Sequence, residues 1–274
     1  MAYTFDFYKT AADYIKERTG GFEPEIGIIL GSGLGKFADH IDGLMEVPYA
    51  EIPNFLKSTV EGHAGKLVFG TVSGKKVVCM SGRFHFYEGY SFEELAIPVR
   101  VLKLLGIRAM ITTNAVGAAN TDYRPGDIMI IRDHIKFVGP SPMNGANVSE
   151  FGPRFFDVTK MYTPELRQLA KDCAKKTKLT VHEGVYFFTT GPQYETPAEV
   201  RAARILGGDV LGMSTVTETL TAAHCGLPLL ALSVITNMGS GVLEKPLSSE
   251  EVIEAANAIE EPFTEYVKDI ISKM

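Results

Sequence analysis

Arginine, histidine and tyrosine recur at every second position of one short run, as Arg83, His85 and Tyr87. In an extended backbone alternate residues point to the same side, so these three side chains are predicted to share a face. A guanidinium fork matches the geometry of phosphate oxygens, and an imidazole can add a further hydrogen bond. The run is therefore a candidate oxyanion site. The alternative interpretation is an arginine salt bridge beside a capped histidine.

A second signal for an anion is the stretch Gly-Ser-Gly-Leu-Gly at 31–35, which follows a short apolar run. Small residues let backbone N–H groups converge on an anion, and Ser32 adds a hydroxyl group. A dinucleotide fingerprint requires glycine where Lys36 stands, and a P-loop requires serine or threonine where Phe37 stands. The stretch therefore predicts an anion near a strand end, or simply a tight turn that needs glycine for backbone reasons.

Further candidate groups lie where predicted strands end or predicted helices begin. The turn around Ala115 offers backbone N–H groups, and Ser214 precedes a helix whose dipole favours an anion. Glu195 also precedes a capped helix, where a carboxylate can simply offset the helix dipole. Asn237 follows a mostly apolar run. A carboxylate accepts N–H protons and a carboxamide both donates and accepts, so Glu195 and Asn237 are suited to reading a purine edge.

The composition excludes several classes of protein. The 274-residue chain has 45% hydrophobic residues, 22% charged residues and a net charge of −6, with no basic run that predicts nucleic-acid binding. Its three cysteines form no CxxC pair, and no HExxH motif or Asp/His cluster predicts a metal site. The chain shows no signal-peptide layout and no apolar run near the ~20 residues of a membrane span. We expect a cytoplasmic protein without a membrane partner.

Short β-branched runs alternate with helix-like stretches, which predicts an α/β fold. The apolar runs are nearly continuous, as in strands that are buried on both faces. Strands are predicted at 26–30, 66–72, 76–80, 108–113, 127–131, 184–189 and 229–235, with a hairpin at Ser73 and Gly74. Helix starts are predicted at Ser91, Thr163, Thr196 and Ser248, the last opening one helix to about residue 273, and a further helix at 217–225.

These elements predict a single domain over residues 1–274, with a central mixed, twisted and partly closed, barrel-like sheet surrounded by helices. The longest stretch without a periodic pattern is 137–157. A loop of this length commonly serves as a lid or a subunit contact, so one of these roles is expected here.

Nine stretches resemble the trimeric, low-molecular-mass purine nucleoside phosphorylases, and they occur in the order of that family. They lie at 31–35, 52–55, 58–65, 82–89, 113–117, 126–134, 191–196, 212–215 and 235–237. The resemblance implies the nucleoside phosphorylase fold and reversible phosphorolysis of purine (deoxy)nucleosides in purine salvage. It further implies that no cofactor is needed, that orthophosphate is a co-substrate, and that the protein is a homotrimer with sites near subunit interfaces.

The resemblance also implies a role for each candidate residue. The phosphate-binding positions are Ser32, His63 on a flexible loop, Arg83, His85, Ala115 through its backbone, and Ser214. The purine- and ribose-binding positions are Tyr87, Tyr194, Glu195, Met213 and Asn237. Phe151 matches an aromatic residue that is lent to the neighbouring subunit's site, which would make the loop at 137–157 a trimer contact.

Catalysis is expected from Asn237, Glu195 and His85. Asn237 would donate a hydrogen bond to purine N7 as negative charge develops on the base, and Glu195 would accept from N1–H. Relatives that act on methylthioadenosine carry aspartate at the position of Asn237, so a preference for inosine and guanosine over adenosine is expected. Two positions depart from the family: Ser249 replaces a histidine near the 5′-hydroxyl, and Met238 replaces a lysine. The alternatives are a methylthioadenosine phosphorylase of the same fold and a catalytically silent nucleoside- or phosphate-binding protein.

Overall fold

A nine-stranded sheet forms the centre of the computed structural model, which describes residues 3–31, 34–59, 64–244 and 249–274. In chain order the strands are β1 (Ile26–Ile29), β2 (Asp42–Pro48), β3 (Lys66–Val72), β4 (Lys75–Ser81), β5 (Ala109–Ala118), β6 (Ile128–Ile135), β7 (Val181–Phe188), β8 (Val210–Gly212) and β9 (Leu229–Met238). Their spatial order is β2-β3-β4-β1-β5-β8-β7-β6-β9. The predicted mixed sheet is confirmed.

The sheet closes on itself over part of its width, because β9 also pairs with β5. Five strands, β5, β8, β7, β6 and β9, therefore form a ring with both parallel and antiparallel pairs. The other four strands extend from β5 as an open flank, which contains the predicted hairpin between β3 and β4 and ends at β2. Both turn residues of this hairpin, Ser73 and Gly74, have positive φ angles, as a two-residue hairpin turn requires. The sheet is thus partly closed, as predicted.

Four neighbouring strands of this sheet run in the same direction: β4 is parallel to β1, β1 to β5, and β5 to β9. Their carboxyl ends consequently meet at one edge of the sheet, where α/β proteins place their ligands. All ten residues of β9 and all four of β1 are buried, in agreement with their nearly continuous apolar sequences.

Seven α-helices surround the sheet in the described part of the chain. They are α1 (Phe5–Arg18), α2 (Ile97–Leu105), α3 (Pro164–Ala174), α4 (Pro197–Ile205), α5 (Val216–His224), α6 (Ser249–Ala258) and α7 (Glu260–Lys273). Within the ranges described above, no helix is both long and apolar enough to cross a membrane. Residues 136–163 contain neither a helix nor a strand, so the predicted long loop at 137–157 is confirmed.

The predicted helix starts have mixed outcomes. Thr196 and Glu199 form the expected capping box, with hydrogen bonds in both directions. Ser91 and Glu94 form another, but it opens a 3₁₀ turn at Glu94–Ala96, and α2 follows at Ile97. Thr163 precedes α3, yet its hydroxyl accepts the backbone N–H of Leu229 at 2.9 Å and caps nothing. The hydroxyl oxygen is therefore used in a tertiary contact and not in a helix cap.

The single terminal helix that we predicted is wrong, because the chain forms α6 and α7 with a break at Ile259. Pro262 explains the break. Proline has no backbone N–H and cannot continue an α-helix from the preceding turn, but it is tolerated within the first turn of a new one. The predicted start at Ser248 and the side chain of Ser249 lie outside the described residues.

Three elements were not predicted: α1, β2 and β8. Helix α1 has a readable signal, because Tyr8, Ala11, Ala12 and Ile15 are buried at helical spacing. Strand β2 is a mostly exposed edge strand, and β8 has only three residues. Neither of these two strands carries a periodic pattern long enough to be recognised, so pairing with neighbours decides their conformation.

Candidate active site

Fifteen residues from five parts of the chain line one pocket at the edge where the parallel strands end. They are Arg83, His85, Tyr87, Ala115, Val116, Gly117, Tyr194, Glu195, Leu211, Gly212, Met213, Ser214, Thr236, Asn237 and Gly239. Nine of them were predicted as site residues from the sequence. The common direction of β4, β5 and β9 brings the residues at their carboxyl ends together.

Arg83 is held in place by four acceptor atoms from three residues. Its side chain is 1% exposed and forms a bidentate ion pair with Glu218, at 3.0 Å from Nε and 2.7 Å from Nη2. The two Nη groups also donate to Thr112 Oγ1 at 2.6 Å and to the Thr113 carbonyl at 2.7 Å. The salt-bridge interpretation is therefore confirmed, and the oxyanion site stays a prediction for a residue that also lines the pocket.

Arg83 also contacts Ser214, a predicted anion-binding residue, since Nη1 donates to Ser214 Oγ at 3.3 Å. The chain at Ser214 turns sharply: Thr215 has φ 71° and ψ −49°, and the N–H of Val216 donates to the Ser214 carbonyl at 2.7 Å. This γ-turn geometry is strained for a β-branched residue and needs support from its surroundings. Asn114 Nδ2 supplies it by donating to Thr215 Oγ1 at 2.9 Å.

Tyr186 on β7 also stabilises this turn. Its hydroxyl donates to the Ser214 carbonyl and accepts the Ser214 N–H, both at 3.2 Å. Gly212 leaves the space for this hydroxyl, because a Cβ atom there would lie 2.3 Å from it. Burial raises the pKa of Tyr186 to about 12, so the phenol stays protonated and can act as a donor.

His85 is oriented by Glu88, one turn later in the chain. Glu88 Oε1 lies 2.9 Å from His85 Nδ1 and accepts the His85 backbone N–H at 2.8 Å. The other oxygen, Oε2, accepts the backbone N–H of Thr59 at 3.0 Å and its hydroxyl at 2.6 Å. Burial alone would raise the pKa of Glu88, but the hydrogen bonds from His85 and Thr59 lower it to about 2. Glu88 is therefore an ionised acceptor, and Nδ1 of His85 carries its proton.

Burial lowers the pKa of His85, and the positive charge of Arg83 lowers it further, while Glu88 and Glu218 act in the opposite direction. The net shift is downward, so the imidazole is neutral at pH 7 and Nε2 is its accepting nitrogen. The ring of Tyr87 stacks on this imidazole, with centroids 4.5 Å apart. Arg83, His85 and Tyr87 share one pocket as predicted, although Tyr87 lies in a 3₁₀ turn at Phe86–Glu88 and not in extended chain.

Glu195 and Asn237 also line the pocket. Asn237 Oδ1 accepts the hydroxyl of Thr236 at 3.0 Å, and Nδ2 donates one of its two protons to the Met238 carbonyl at 3.0 Å. Glu195 Oε1 accepts the hydroxyl of Thr189 at 2.6 Å. The carboxamide and the carboxylate are thus each oriented by a neighbouring threonine. Each keeps hydrogen-bonding capacity for a further group.

Two predicted phosphate positions, Ser32 and His63, lie outside the described residues. The residue before Ser32 is described, and Gly31 donates its backbone N–H to Thr113 Oγ1 at 3.1 Å. A Cβ atom on Gly31 would lie 2.6 Å from the Asn114 Cα atom, so only glycine allows this close approach. The glycine-rich loop therefore begins in contact with β5, at Thr113 and Asn114, and these two residues directly precede the predicted anion position Ala115.

The comparisons with known proteins agree with this geometry. The family model described as the phosphorylase superfamily matches residues 25–272. The chain is 51% identical to purine nucleoside phosphorylase 1 of Geobacillus stearothermophilus, over 96% of both chains. It is also 48% identical to purine nucleoside phosphorylase 1 of Bacillus subtilis, over 98% of both. The chain belongs to the purine nucleoside phosphorylase family.

Solved structures of this family have the same fold. A purine nucleoside phosphorylase from Schistosoma mansoni in complex with inosine has a TM-score of 0.95 and 40% sequence identity. It covers 100% of this chain and 98% of its own. Isoform 2 from the same organism, in complex with cytosine and ribose-1-phosphate, also has a TM-score of 0.95, with 42% identity.

The structure places one predicted residue of this family member away from the pocket. Phe151 is 6% exposed and packs inside its own chain, with its ring centroid 5.8 Å from that of Phe5 and 5.2 Å from that of Tyr8. The role of Phe151 at a neighbouring subunit's site stays a prediction. The exposed aromatic residue of the same loop is Phe155, at 89% exposure.

Sequence reasoning missed the residues that hydrogen-bond to the site residues and hold them in position. They are Glu88, Thr112, Asn114, Tyr186, Thr189, Thr215 and Glu218. Only Glu218 had a usable signal, since a carboxylate in the first turn of a mostly apolar helix is expected to need a buried cation as partner. The others are ordinary residues whose roles arise from contacts distant in sequence.

Proposed function

We propose that the chain catalyses the reversible phosphorolysis of purine nucleosides and deoxynucleosides, with a preference for 6-oxopurines. The observation that carries the proposal is that one pocket is lined by two sets of polar groups. We call Arg83, His85 and Ser214, which suit an anion, the anion wall, and we call Glu195 and Asn237, whose hydrogen-bonding groups complement a purine edge, the purine wall. A phosphate and a nucleoside bound between these walls would place the nucleophile beside the glycosidic bond.

The anion wall suits a protonated phosphate. Ser214 would supply a donor, and Arg83 would supply another by turning the Nη1 proton that it gives to Ser214 Oγ toward the phosphate. The neutral His85 would supply an acceptor at Nε2, because Glu88 holds its proton on Nδ1. Monohydrogen phosphate offers one O–H donor together with three acceptor oxygens. The site would therefore hold the dianion through Arg83 and Ser214 and receive its O–H at His85, which orients an unprotonated oxygen for attack on the anomeric carbon.

The purine wall suits a base that becomes negatively charged. As the glycosidic bond breaks, the sugar gains oxocarbenium character and the purine gains electron density at N7. The second Nδ2 proton of Asn237 would donate to N7, and this bond strengthens in the transition state. Phosphate near the sugar stabilises its positive charge before the new C–O bond forms. In this scheme the side chains hold and polarise the reactants and none of them attacks the sugar.

Glu195 provides the preference for 6-oxopurines. In hypoxanthine and guanine N1 carries a proton that an ionised carboxylate accepts, whereas in adenine N1 is itself an acceptor and faces the carboxylate unfavourably. The related Schistosoma mansoni protein has been solved with adenosine as well as with inosine and guanosine. Binding alone therefore does not distinguish the substrates in that protein, and turnover is the measurement that does.

The deciding experiment measures cleavage of inosine with and without phosphate, then repeats the assay with adenosine and methylthioadenosine. A phosphorylase requires phosphate, a hydrolase does not, and a binding protein cleaves nothing. We expect efficient phosphate-dependent cleavage of inosine and poor cleavage of adenosine. Comparable efficiency on methylthioadenosine would favour the alternative phosphorylase of the same fold.

The role of Asn237 is tested by Asn237→Ala, which we expect to lower kcat for inosine on the order of 10²–10³, the usual cost of removing one charge-stabilising donor. Gln168→Ala on the exposed face of α3 serves as the matched control and should leave kcat unchanged. Near-normal turnover by Asn237→Ala would refute the assignment of the N7 donor.

We further propose a cytoplasmic homotrimer that acts in purine salvage, in which the loop that carries Phe151 and Phe155 is lent to the neighbouring site. This proposal is supported by the exposure of Phe155 and by an apolar recess beside Glu195, lined by Val138, Phe187 and Leu211. Phe155→Ala should raise KM for the nucleoside, and Ile205→Ala, which removes another exposed apolar side chain, should not. A monomer in sedimentation analysis, or an unchanged KM, would contradict the proposal.

A further inference from the structure

Arg100 on α2 is a second buried arginine, and its guanidinium has no carboxylate partner among the described residues. It is 6% exposed. Nη1 donates to the Tyr8 hydroxyl at 2.5 Å, and Nη2 lies 3.3 Å from the sulfur of Met143. The guanidinium carbon also lies over the rings of Tyr8 and Phe151, at 5.1 and 5.3 Å from their centroids.

This environment leaves the hydrogen-bonding capacity of Arg100 largely unused. A guanidinium has five N–H donors and stays charged at every working pH. Nε is buried with no hydrogen-bond partner in the described structure, and the Nη2 partner is a thioether, which is only a weak acceptor. Aromatic faces stabilise a cation, but they do not replace hydrogen-bond acceptors. The Nε–Nη2 edge therefore lacks the two oxygens that it is shaped to bind.

A cavity lies beside this side chain. Arg100 lines it together with the start of α1, from Tyr3 to Tyr8, and the loop at 142–150, which adds the polar side chains of Asn144, Asn147 and Ser149. None of its lining residues belongs to the substrate pocket. Glu93 and Glu150 also line the cavity. Their negative charges oppose a polyphosphate more strongly than a small anion of low charge.

We infer that this cavity is a binding site for a small oxyanion, a carboxylate or a phosphate monoester, held in bidentate fashion by Nε and Nη2 of Arg100. The ligand would displace the sulfur of Met143 from Nη2 and supply the acceptors that the guanidinium lacks. It would also couple α1, α2 and the loop at 142–150, because all three line the cavity. The site is separate from the phosphate position at Arg83.

Selenate is a direct probe, since its anomalous X-ray scattering locates each bound ion. Crystals of the full-length protein soaked in millimolar selenate should show one peak at Arg83 and a second beside Nε of Arg100. In Arg100→Met only the second peak should disappear, and the Arg83 peak serves as the internal control. Lys103→Met, on the same helix one turn later, should retain both peaks.

Competition identifies the class of ligand. Loss of the Arg100 peak on addition of acetate indicates a carboxylate site, and loss with phosphate alone indicates a phosphoryl site. Either result supports the inference. A wild-type crystal with no selenate at Arg100 overturns it, as does a carboxylate of Glu93, Glu150 or a neighbouring copy seated on the guanidinium. The wild-type result decides the question even if Arg100→Met does not fold.

Discussion

The two arginines that are buried in the described part of the chain have opposite surroundings. Arg83 meets a bidentate carboxylate, a threonine hydroxyl, a carbonyl and a serine hydroxyl, whereas Arg100 meets two aromatic faces, a phenol and a thioether. Burial is therefore the same, but the compensation of charge is not. Glu218 neutralises Arg83, and the remaining N–H groups of that arginine have protein acceptors, one of which, Ser214, lines the substrate pocket. The charge of Arg100 has no such neutralising partner and acts on its neighbours.

The largest expected effect comes from making the same substitution at both arginines. Arg83→Met leaves Glu218 buried without a partner, and breaking a buried ion pair in this way costs about 3–5 kcal/mol. Arg100→Met removes a charge that leaves no carboxylate behind, so the free energy of unfolding should fall by no more than about 2 kcal/mol, mostly through the lost partner of Tyr8.

Urea denaturation at one protein concentration, with and without selenate, measures both values. Equal losses of stability in the two variants would break the comparison. In that case Arg100 would have a neutralising partner after all, or Arg83 would depend on Glu218 less than the geometry indicates.

The next effect concerns Glu218 alone. Glu218→Gln keeps the side-chain volume but turns one acceptor of the Arg83 fork into a donor, so the guanidinium must shift away from it. Small displacements of a positioning group cost up to about 10²-fold. We expect the KM for phosphate to rise and kcat/KM for phosphorolysis to fall by about 10- to 100-fold, while nucleoside binding changes little.

Glu183→Gln is the matched control, because Glu183 pairs with Arg167 in a partly exposed position distant from the pocket. Its steady-state constants should equal those of the wild type. An unchanged KM for phosphate in Glu218→Gln would show that Arg83 does not need its carboxylate partner.

The smallest effect is electrostatic and distinguishes the two arginines most directly. Burial lowers the pKa of His224, and the charge of Arg100 lowers it further. At His85 the lowering by Arg83 is opposed by Glu218. Arg100→Met should therefore raise the pKa of His224 measurably, by less than about one pH unit, in an NMR titration, and Lys103→Met should not.

The same shifts set the sign of the pH dependence. Because both imidazoles titrate below their ordinary value, the unfolded chain binds more protons near pH 6.5 than the native one. The free energy of unfolding is therefore higher at pH 8 and decreases as the pH falls below about 6.5. Arg100→Met should make this loss shallower, and an identical pH profile would contradict an uncompensated charge at Arg100.

Sequence reasoning succeeded where the signal is local. The residues of the run 83–87 and the polar residues at strand ends were predicted to lie together and do line one pocket, because parallel strands deliver their carboxyl ends to a common edge. It failed where the partner is distant. Arg83 and Glu218 are separated by 135 positions in the chain, and no spacing rule connects them.

Closely spaced residues can also be indistinguishable without tertiary contacts. Phe151 and Phe155 lie on one loop and are the same residue type, yet the first is covered by α1 and the second is exposed. In the same way, a sequence shows that Thr163 can cap a helix, but not that a backbone N–H on β9 claims its hydroxyl. In both cases a contact with a residue distant in the sequence decides where the side chain lies or which group it bonds.

The sequence by itself determined the class of fold, the family resemblance and most of the residues around the pocket, because periodicity, capping and strand-end chemistry are short-range properties. Only the tertiary structure decided which charges are compensated, which aromatic ring is exposed and where the terminal helix breaks. These outcomes depend on acceptors and packing surfaces contributed by several elements at once. Two arginines that look alike in the sequence therefore differ in the folded chain. Arg83 is neutralised by Glu218, whereas Nε of Arg100 is buried without a hydrogen-bond partner in the described structure.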